Sequence, residues 1–156
     1  MSLNSVAGAS SHRVSRWLEA PLRKEAKPFI ERNMETQKDE SDFAETVAAL
    51  DLLLSHVWMV RAFIKHSEEA EEDDELNEVQ RSLYDYMLAL GPPLRSGDHA
   101  KYLKQAKKKL KKLIAATELF VEIQPEISSH TNFQMAAMSL KESVRQVEAI
   151  IKEATK

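Results

Sequence analysis

The chain has 156 residues, of which 43% are hydrophobic and 30% are charged, and its formal net charge is −3. This length suits one domain with a sizeable core, and the composition is too apolar for a disordered chain. Cysteine is absent, which excludes disulfides, thiolate metal sites and a cysteine nucleophile. The absence of cysteine and of a recognisable signal peptide favours a soluble cytoplasmic protein.

Glycine occurs only at positions 8, 91 and 97. Loops that cradle phosphates need several closely spaced glycines, so the Walker-type and dinucleotide-binding fingerprints are absent and we expect no cofactor. Charge is segregated along the chain: residues 1–34 carry a net +3, residues 35–90 carry −11 and residues 91–156 carry +5. These segments can pair within the fold as readily as with a partner.

Residues 1–10 are small and polar, and they predict a flexible tail before a single helical domain over residues 11–156. Residues 11–37 have helical apolar spacing interrupted by Pro21 and Pro28. Because proline inside a helix removes a hydrogen bond and clashes with the preceding turn, we expect two short helices or one kinked helix lying across the bundle.

The most apolar segment is Phe43–Ile64, which is hydrophobic nearly all the way around a helix. Such a helix is typical of a core covered by several neighbours. We expect residues 38–42 to form a joint before it, with Ser41 as the N-cap, and the helix to end near His66. It is not predicted to span a membrane, because three polar residues interrupt the apolar run: Asp51, His56 and Arg61.

Three more helices follow, with a cap at Asp73 or Asp74 predicted for the first of them. Gly91-Pro92-Pro93 is expected to end that helix, Asp98 to cap the next, and Gln124-Pro125 to end it. Thr131 and Gln134 form a capping-box pattern before a last helix that runs to about Ala154. The predicted core stripes are Leu76, Val79, Leu83, Tyr86 or Met87 and Leu90; Leu103, Ala106, Leu110, Leu113, Ile114, Thr117, Phe120 and Val121; and Phe133, Ala137, Leu140, Val144, Val147 and Ile151.

No segment alternates with period two, so no strands are predicted. Short connections make successive helices antiparallel. The predicted fold is therefore an all-α, up-and-down antiparallel helical bundle of four main helices plus the proline-kinked N-terminal helix. The third helix is shorter than the others, and the N-terminal helix is expected to cover the side that it leaves open.

The strongest predicted surface feature is a lysine face on the fourth helix, opposite its core stripe. It consists of Lys101, Lys104, Lys107, Lys108, Lys111 and Lys112. Such a face can neutralise phosphates of a nucleic acid, or it can lie on an anionic membrane or an acidic protein. It can also be a solvated outer face that pairs with the acidic run of residues 68–75.

Arg61 lies on the most apolar face of the central helix, where a charge needs a partner or a route to water. We expect a structural ion pair with Asp85 or Glu78. Arg61 and His66 also match R-x4-H, and this pair resembles the motif of the helical HEPN nucleases. The resemblance covers two residues and a helical architecture, and it implies a catalytic pair that acts on RNA phosphodiesters.

No metal site is predicted. His56 and His66 are ten residues apart, or about 15 Å along one helix, and so cannot share an ion. No HExxH or paired Glu-x-x-His motif is present. A site assembled across helices with His99 or His130 is the remaining alternative.

A stripe of small residues marks one edge of the central helix. It either allows a neighbouring helix to approach closely or meets solvent, and it consists of Ala44, Ala48, Asp51, Ser55 and Ala62.

The sequence favours a non-enzymatic interaction or adaptor bundle that binds a protein partner or forms a homo-oligomer through the heptad of the last helix. A nucleic-acid-associated protein that uses the lysine face is the first alternative, and a HEPN-like RNase that uses Arg61 and His66 is the second.

Overall fold

The computed structural model describes residues 26–156, which form five helices and no strand. They are α1 (Phe29–Lys65), α2 (Glu69–Glu72), α3 (Asp74–Arg95), α4 (His99–Ile127) and α5 (Thr131–Ala154). The predicted all-α antiparallel bundle is confirmed, with α1, α3, α4 and α5 as its main helices. The predicted tail, and the part of the predicted N-terminal helix in residues 11–25, lie outside the described residues.

The four long helices form a ring. Helix α1 packs against α3 and α5, and α4 packs against the same two helices, so α1 and α4 lie across the bundle from each other. All of the predicted stripe positions on α3, α4 and α5 are buried except Met87, Ile114 and Val121, which are half-buried. The heptad of α5, through which we considered a homo-oligomer, coincides with this core stripe and is buried within the bundle.

Helix α1 begins at Phe29 and continues through residues 38–42 without a break. The predicted joint and the predicted N-cap at Ser41 are therefore wrong, and residues 29–37 belong to the central helix. The physical reason is that this segment contains no glycine or proline, and a charged helix surface is stable where it faces water. Residues 29–42 are exposed along their whole length.

The expectation that α1 is covered on all sides is also wrong. Its buried residues lie on one face, whereas Leu52 is 69% exposed and Met59 is 66% exposed on the other. In a ring of four helices each helix faces its neighbours on one side only, and the opposite side meets solvent. Ala48, Asp51 and Ser55 are exposed as well, so the middle of the small-residue stripe is a solvent edge.

Helix α1 is long and apolar enough to cross a membrane by length and composition, with a mean hydropathy of 1.6 over its best 18 residues. A third of that window is buried within the bundle. Core helices of soluble proteins and signal sequences have the same length and composition.

Two proline-containing helix ends differ from the prediction. Helix α3 continues through Pro92 and Pro93 to Arg95. Each proline lacks an N–H group and crowds the preceding turn, but its fixed φ of about −65° is helical, and both prolines lie in the last turn of the helix. The left-handed residue after it is Gly97, with φ of 68°, rather than Gly91. Likewise, α4 passes Pro125 and ends at Ile127.

The predicted caps of α3 and α4 are confirmed, since the side chains of Asp73 and Asp98 accept hydrogen bonds from the backbone N–H groups of Leu76 and Lys101. The cap of α5 lies one residue earlier than predicted: His130 Nδ1 accepts from the N–H of Asn132 at 3.1 Å. The Thr131–Gln134 capping box is therefore wrong.

Candidate functional site

A groove runs between the antiparallel helices α1 and α3. We call it the α1–α3 groove; its volume is about 300 Å³, and its lining includes Asp51, Leu54, Trp58, Tyr84, Met87, Leu88, Leu90, Gly91, Leu94, Arg95 and Tyr102. Four of these are large hydrophobic residues with substantial exposure, and Leu88 reaches 58%. The groove thus combines a mostly apolar wall with a few polar groups, as small-molecule and peptide sites do.

The aromatic part of the groove is organised around Arg61. Trp58 on α1 and Tyr84 on α3 face each other with ring centroids 6.3 Å apart. The guanidinium carbon of Arg61 lies 5.2 Å from the centroid of the Trp58 ring and 4.8 Å from that of Tyr84. These distances are those of cation–π contacts, so the two rings stabilise the charge of Arg61 on the otherwise apolar face of α1.

The expected ion pair of Arg61 with Asp85 or Glu78 is wrong. Within residues 26–156, Arg61 has no carboxylate within 4 Å, and its buried Nε has no hydrogen-bond partner. Glu78 and Asp85 each line a surface pocket together with lysines of α4. They lie on the side of α3 that faces α4, whereas Arg61 meets the side that faces α1.

The floor of the groove carries a polar group that the bundle does not use. Tyr102 is 1% exposed, and its hydroxyl has no hydrogen-bond partner among the described residues. Burial raises the pKa of this phenol, and the negative charge of Asp51 raises the pKa further. An unpaired buried hydroxyl costs on the order of 1–3 kcal/mol, so its position calls for an explanation.

Tyr86 provides the contrast. Its hydroxyl donates a hydrogen bond of 3.3 Å to the backbone carbonyl of Ala106, between α3 and α4. Burial also raises the pKa of this phenol, and the neighbouring Tyr102 adds to the effect. Two buried tyrosines therefore lie in one core, and one hydroxyl is satisfied while the other is not.

The other polar groups of the groove lie near Gly91. Arg95 is exposed, and its guanidinium lies over Gly91, 3.0 Å from where a β-carbon on that glycine would be. Neither Arg95 nor Asp51 takes part in an ion pair in the described part of the chain. This end of the groove offers donors, acceptors and both signs of charge.

The lysine face on α4 forms as predicted, with all six side chains exposed. None of them has a carboxylate within 4 Å in residues 26–156, so the face is not paired with the acidic run of residues 68–75. Lys107 Nζ donates to the backbone carbonyl of Thr155 at 3.3 Å. Tyr102, the neighbour of Lys101 in the chain, is buried and lines the α1–α3 groove.

Arg61 and His66 do not share a surface. They are five residues apart on the helix, or about 140° around its axis. The Arg61 guanidinium lies over the Trp58 and Tyr84 rings, whereas His66 is exposed at the C-cap of α1. Neither residue lines the α1–α3 groove.

No group of three or more potential metal ligands comes together in residues 26–156. His130, one of the two histidines considered for a site across helices, uses its ring nitrogen to cap α5.

The α1–α3 groove was not predicted from the sequence. The signal was present on α3, where Tyr84 and Leu88 are apolar residues one turn apart that fall outside the core stripe. Which helix lies beside them could not be read from the spacing.

Comparison of the chain with protein-family models, with curated proteins and with solved structures finds no match. The arrangement of its own residues therefore carries the functional argument.

Proposed function

We propose that this protein is a non-enzymatic interaction module that binds a partner protein in the α1–α3 groove. The observation that supports this most is the set of large apolar residues lining one groove, Trp58, Tyr84, Leu88 and Leu94, all substantially exposed. Contiguous exposed apolar surface of this kind marks interaction sites. Tryptophan, tyrosine and arginine are also the residue types that dominate binding energy at interfaces.

The shape and charge of the groove favour an amphipathic helix with acidic flanks as the bound segment. A groove between two antiparallel helices accepts a third helix through anchors spaced at three and four residues. Arg95 lines the groove, and Arg81 lies on α3 one turn before Tyr84. Both are exposed, and neither is within 4 Å of a carboxylate in residues 26–156.

Site-specific photocrosslinking tests this proposal in cells that express the chain natively. A benzophenone amino acid at position 88 is expected to give a discrete adduct, and the same group at position 52 is the matched control. Leu88 and Leu52 are both exposed leucines, but only Leu88 lines the groove. The adduct should be lost when Tyr84→Ala is added. Equal adducts at both positions, or none at position 88, would contradict the proposal, and an adduct of twice the chain mass would make the partner a second copy.

A second candidate function is binding of nucleic acid by the lysine face. It is favoured by the six exposed lysines without a carboxylate within 4 Å in the described residues. Each phosphate that a lysine neutralises releases a counterion, so the affinity should fall steeply with salt. Further along α4, Glu118 and Glu122 are exposed, which limits the basic surface to the first half of the helix.

The charge-reversal variant Lys104→Glu/Lys108→Glu/Lys111→Glu tests this candidate. We expect it to bind a short DNA duplex weakly and to lower the slope of log affinity against log salt by roughly 2–3, about one counterion per lysine lost. The control is Lys38→Glu/Lys65→Glu/Lys141→Glu, which changes the net charge equally at exposed lysines elsewhere. If both triple variants bind equally, the lysine face has no specific role.

A further inference from the structure

The polar end of the α1–α3 groove carries information about what the groove binds. Tyr102 is buried, lines the groove and has a hydroxyl without a partner in residues 26–156. Buried hydroxyls are normally satisfied, and those that are not often await a ligand or a bound water. The hydroxyl can donate one hydrogen bond and accept others.

Two groove residues of opposite charge, Asp51 and Arg95, limit the kind of head group that the groove can bind. The Asp51 carboxylate accepts hydrogen bonds only, and it repels an anionic head group. The Arg95 guanidinium donates only, and it repels a cationic one. A neutral head group that both donates and accepts hydrogen bonds can satisfy Tyr102, Asp51 and Arg95 together without being repelled by either charge.

We propose that the α1–α3 groove binds an apolar group that ends in a neutral carboxamide, such as a glutamine or asparagine on the apolar face of the partner helix. The carboxamide oxygen accepts from the Tyr102 hydroxyl and from Arg95, and its NH₂ group donates to Asp51. The attached apolar part lies along Leu54, Trp58 and Leu88. This inference rests on the proposed function and specifies the partner that it requires.

The shape of the groove agrees with this assignment. Gly91 leaves room where the two helices face each other, and the guanidinium that lies over it belongs to an exposed side chain that can move. Arg61 does not itself line the groove, although its guanidinium lies over both rings. The apolar part of the ligand packs against the parts of Trp58 and Tyr84 that line the groove and against the leucines beside them.

The test is a titration of the full chain with four small probes that share a phenylethyl group, in which binding is monitored through the indole N–H resonance of Trp58. The probes are hydrocinnamamide, its methyl-ketone isostere benzylacetone, hydrocinnamate and phenylpropylammonium. We expect a saturable shift with the amide, and an affinity at least about fivefold weaker for the other three, because each lacks one hydrogen bond or introduces a repelled charge.

Two variants assign the preference to named residues. Tyr102→Phe removes only the unpaired hydroxyl and should lower the affinity for the amide about fivefold. Tyr86→Phe is the matched control, since its hydroxyl is bonded to Ala106 and the residue does not line the groove. Asp51→Asn should raise the affinity for hydrocinnamate by removing the repelling charge.

The outcomes separate the two proposals. Equal affinities for all four probes, or an unchanged preference in Tyr102→Phe, would overturn the carboxamide assignment while leaving the groove as a binding surface. A saturable shift with none of the probes would also overturn it. The photocrosslinking at position 88 reports on the partner protein independently, so the proposed function stands or falls on that measurement.

Discussion

The two buried tyrosines show how differently one residue type can behave in a single core. Tyr86 and Tyr102 come from neighbouring helices, and both are nearly inaccessible to solvent. The hydroxyl of Tyr86 is bonded to a helix carbonyl, while the buried hydroxyl of Tyr102 has no hydrogen-bond partner in residues 26–156. Replacing each tyrosine with phenylalanine should therefore change the free energy of unfolding differently at the two positions.

We expect Tyr102→Phe to leave the free energy of unfolding unchanged or raise it by up to about 1 kcal/mol, because it removes an unsatisfied buried hydroxyl. Tyr86→Phe should lower it by about 0.5–1.5 kcal/mol, the usual net worth of one hydrogen bond. Urea denaturation of the purified chain measures both. A loss of stability in Tyr102→Phe as large as that in Tyr86→Phe would mean that the Tyr102 hydroxyl has a partner in the unbound protein.

The same two residues predict alkaline sensitivity. Burial raises the pKa of both phenols in the folded state, so above pH about 10 the unfolded chain loses these protons first. Their contribution to stability is complete below pH about 10 and is lost as the pH rises beyond it. The double variant Tyr86→Phe/Tyr102→Phe should lose less stability than the parent between pH about 9 and about 11, measured by urea denaturation. Equal losses would show that these phenols do not govern the alkaline response.

At the scale of the elements, helix ends follow local chemistry that is only partly visible in sequence. Asp73 and Asp98 are caps as predicted, because a carboxylate three residues before a free N–H is a self-contained arrangement. The end of α3 was misjudged because the Gly91-Pro92-Pro93 sequence resembles a stop signal. The helix instead runs on to Arg95, and the left-handed turn falls at Gly97.

A pair of glycine substitutions tests this helix end. Gly97→Ala should lower the free energy of unfolding by about 1 kcal/mol, since alanine is strained at a φ of 68°. Gly91→Ala should raise it by up to about 1 kcal/mol, because alanine is the better helix former and its β-carbon meets only the end of the Arg95 side chain. Thermal unfolding distinguishes the two. Destabilisation by Gly91→Ala would restore that residue as the terminator of α3.

At the scale of the whole molecule, the ring arrangement decides what each helix exposes. Helix α1 contacts both α3 and α5, and its outer side has no neighbour among the described residues. The same arrangement creates the α1–α3 groove where these two helices meet. A helix that is apolar on all sides thus contributes to the core with one face and to the candidate binding surface with its edge.

Two leucines on α1 test this one-sidedness. Leu54 is 1% exposed and Leu52 is 69% exposed, although they are two positions apart. Leu54→Ala should lower the free energy of unfolding by about 2–5 kcal/mol through lost burial and a cavity, whereas Leu52→Ala should change it by less than about 0.5 kcal/mol. Chemical denaturation monitored by circular dichroism measures both. Comparable losses would mean that the outer side of α1 is covered by another part of the chain or by a second copy.

The sequence by itself determined the helical class, the core stripes of α3, α4 and α5, and the caps at Asp73 and Asp98. These features depend on spacings of three or four residues along one helix, and such spacings are local. Only the tertiary structure decided which side of α1 is covered, which rings the Arg61 guanidinium lies over, and that the buried Tyr102 hydroxyl has no hydrogen-bond partner among the described residues. Those facts depend on how helices that are distant in the chain pack side by side. The spacing of apolar residues along one helix does not specify which helix becomes its neighbour.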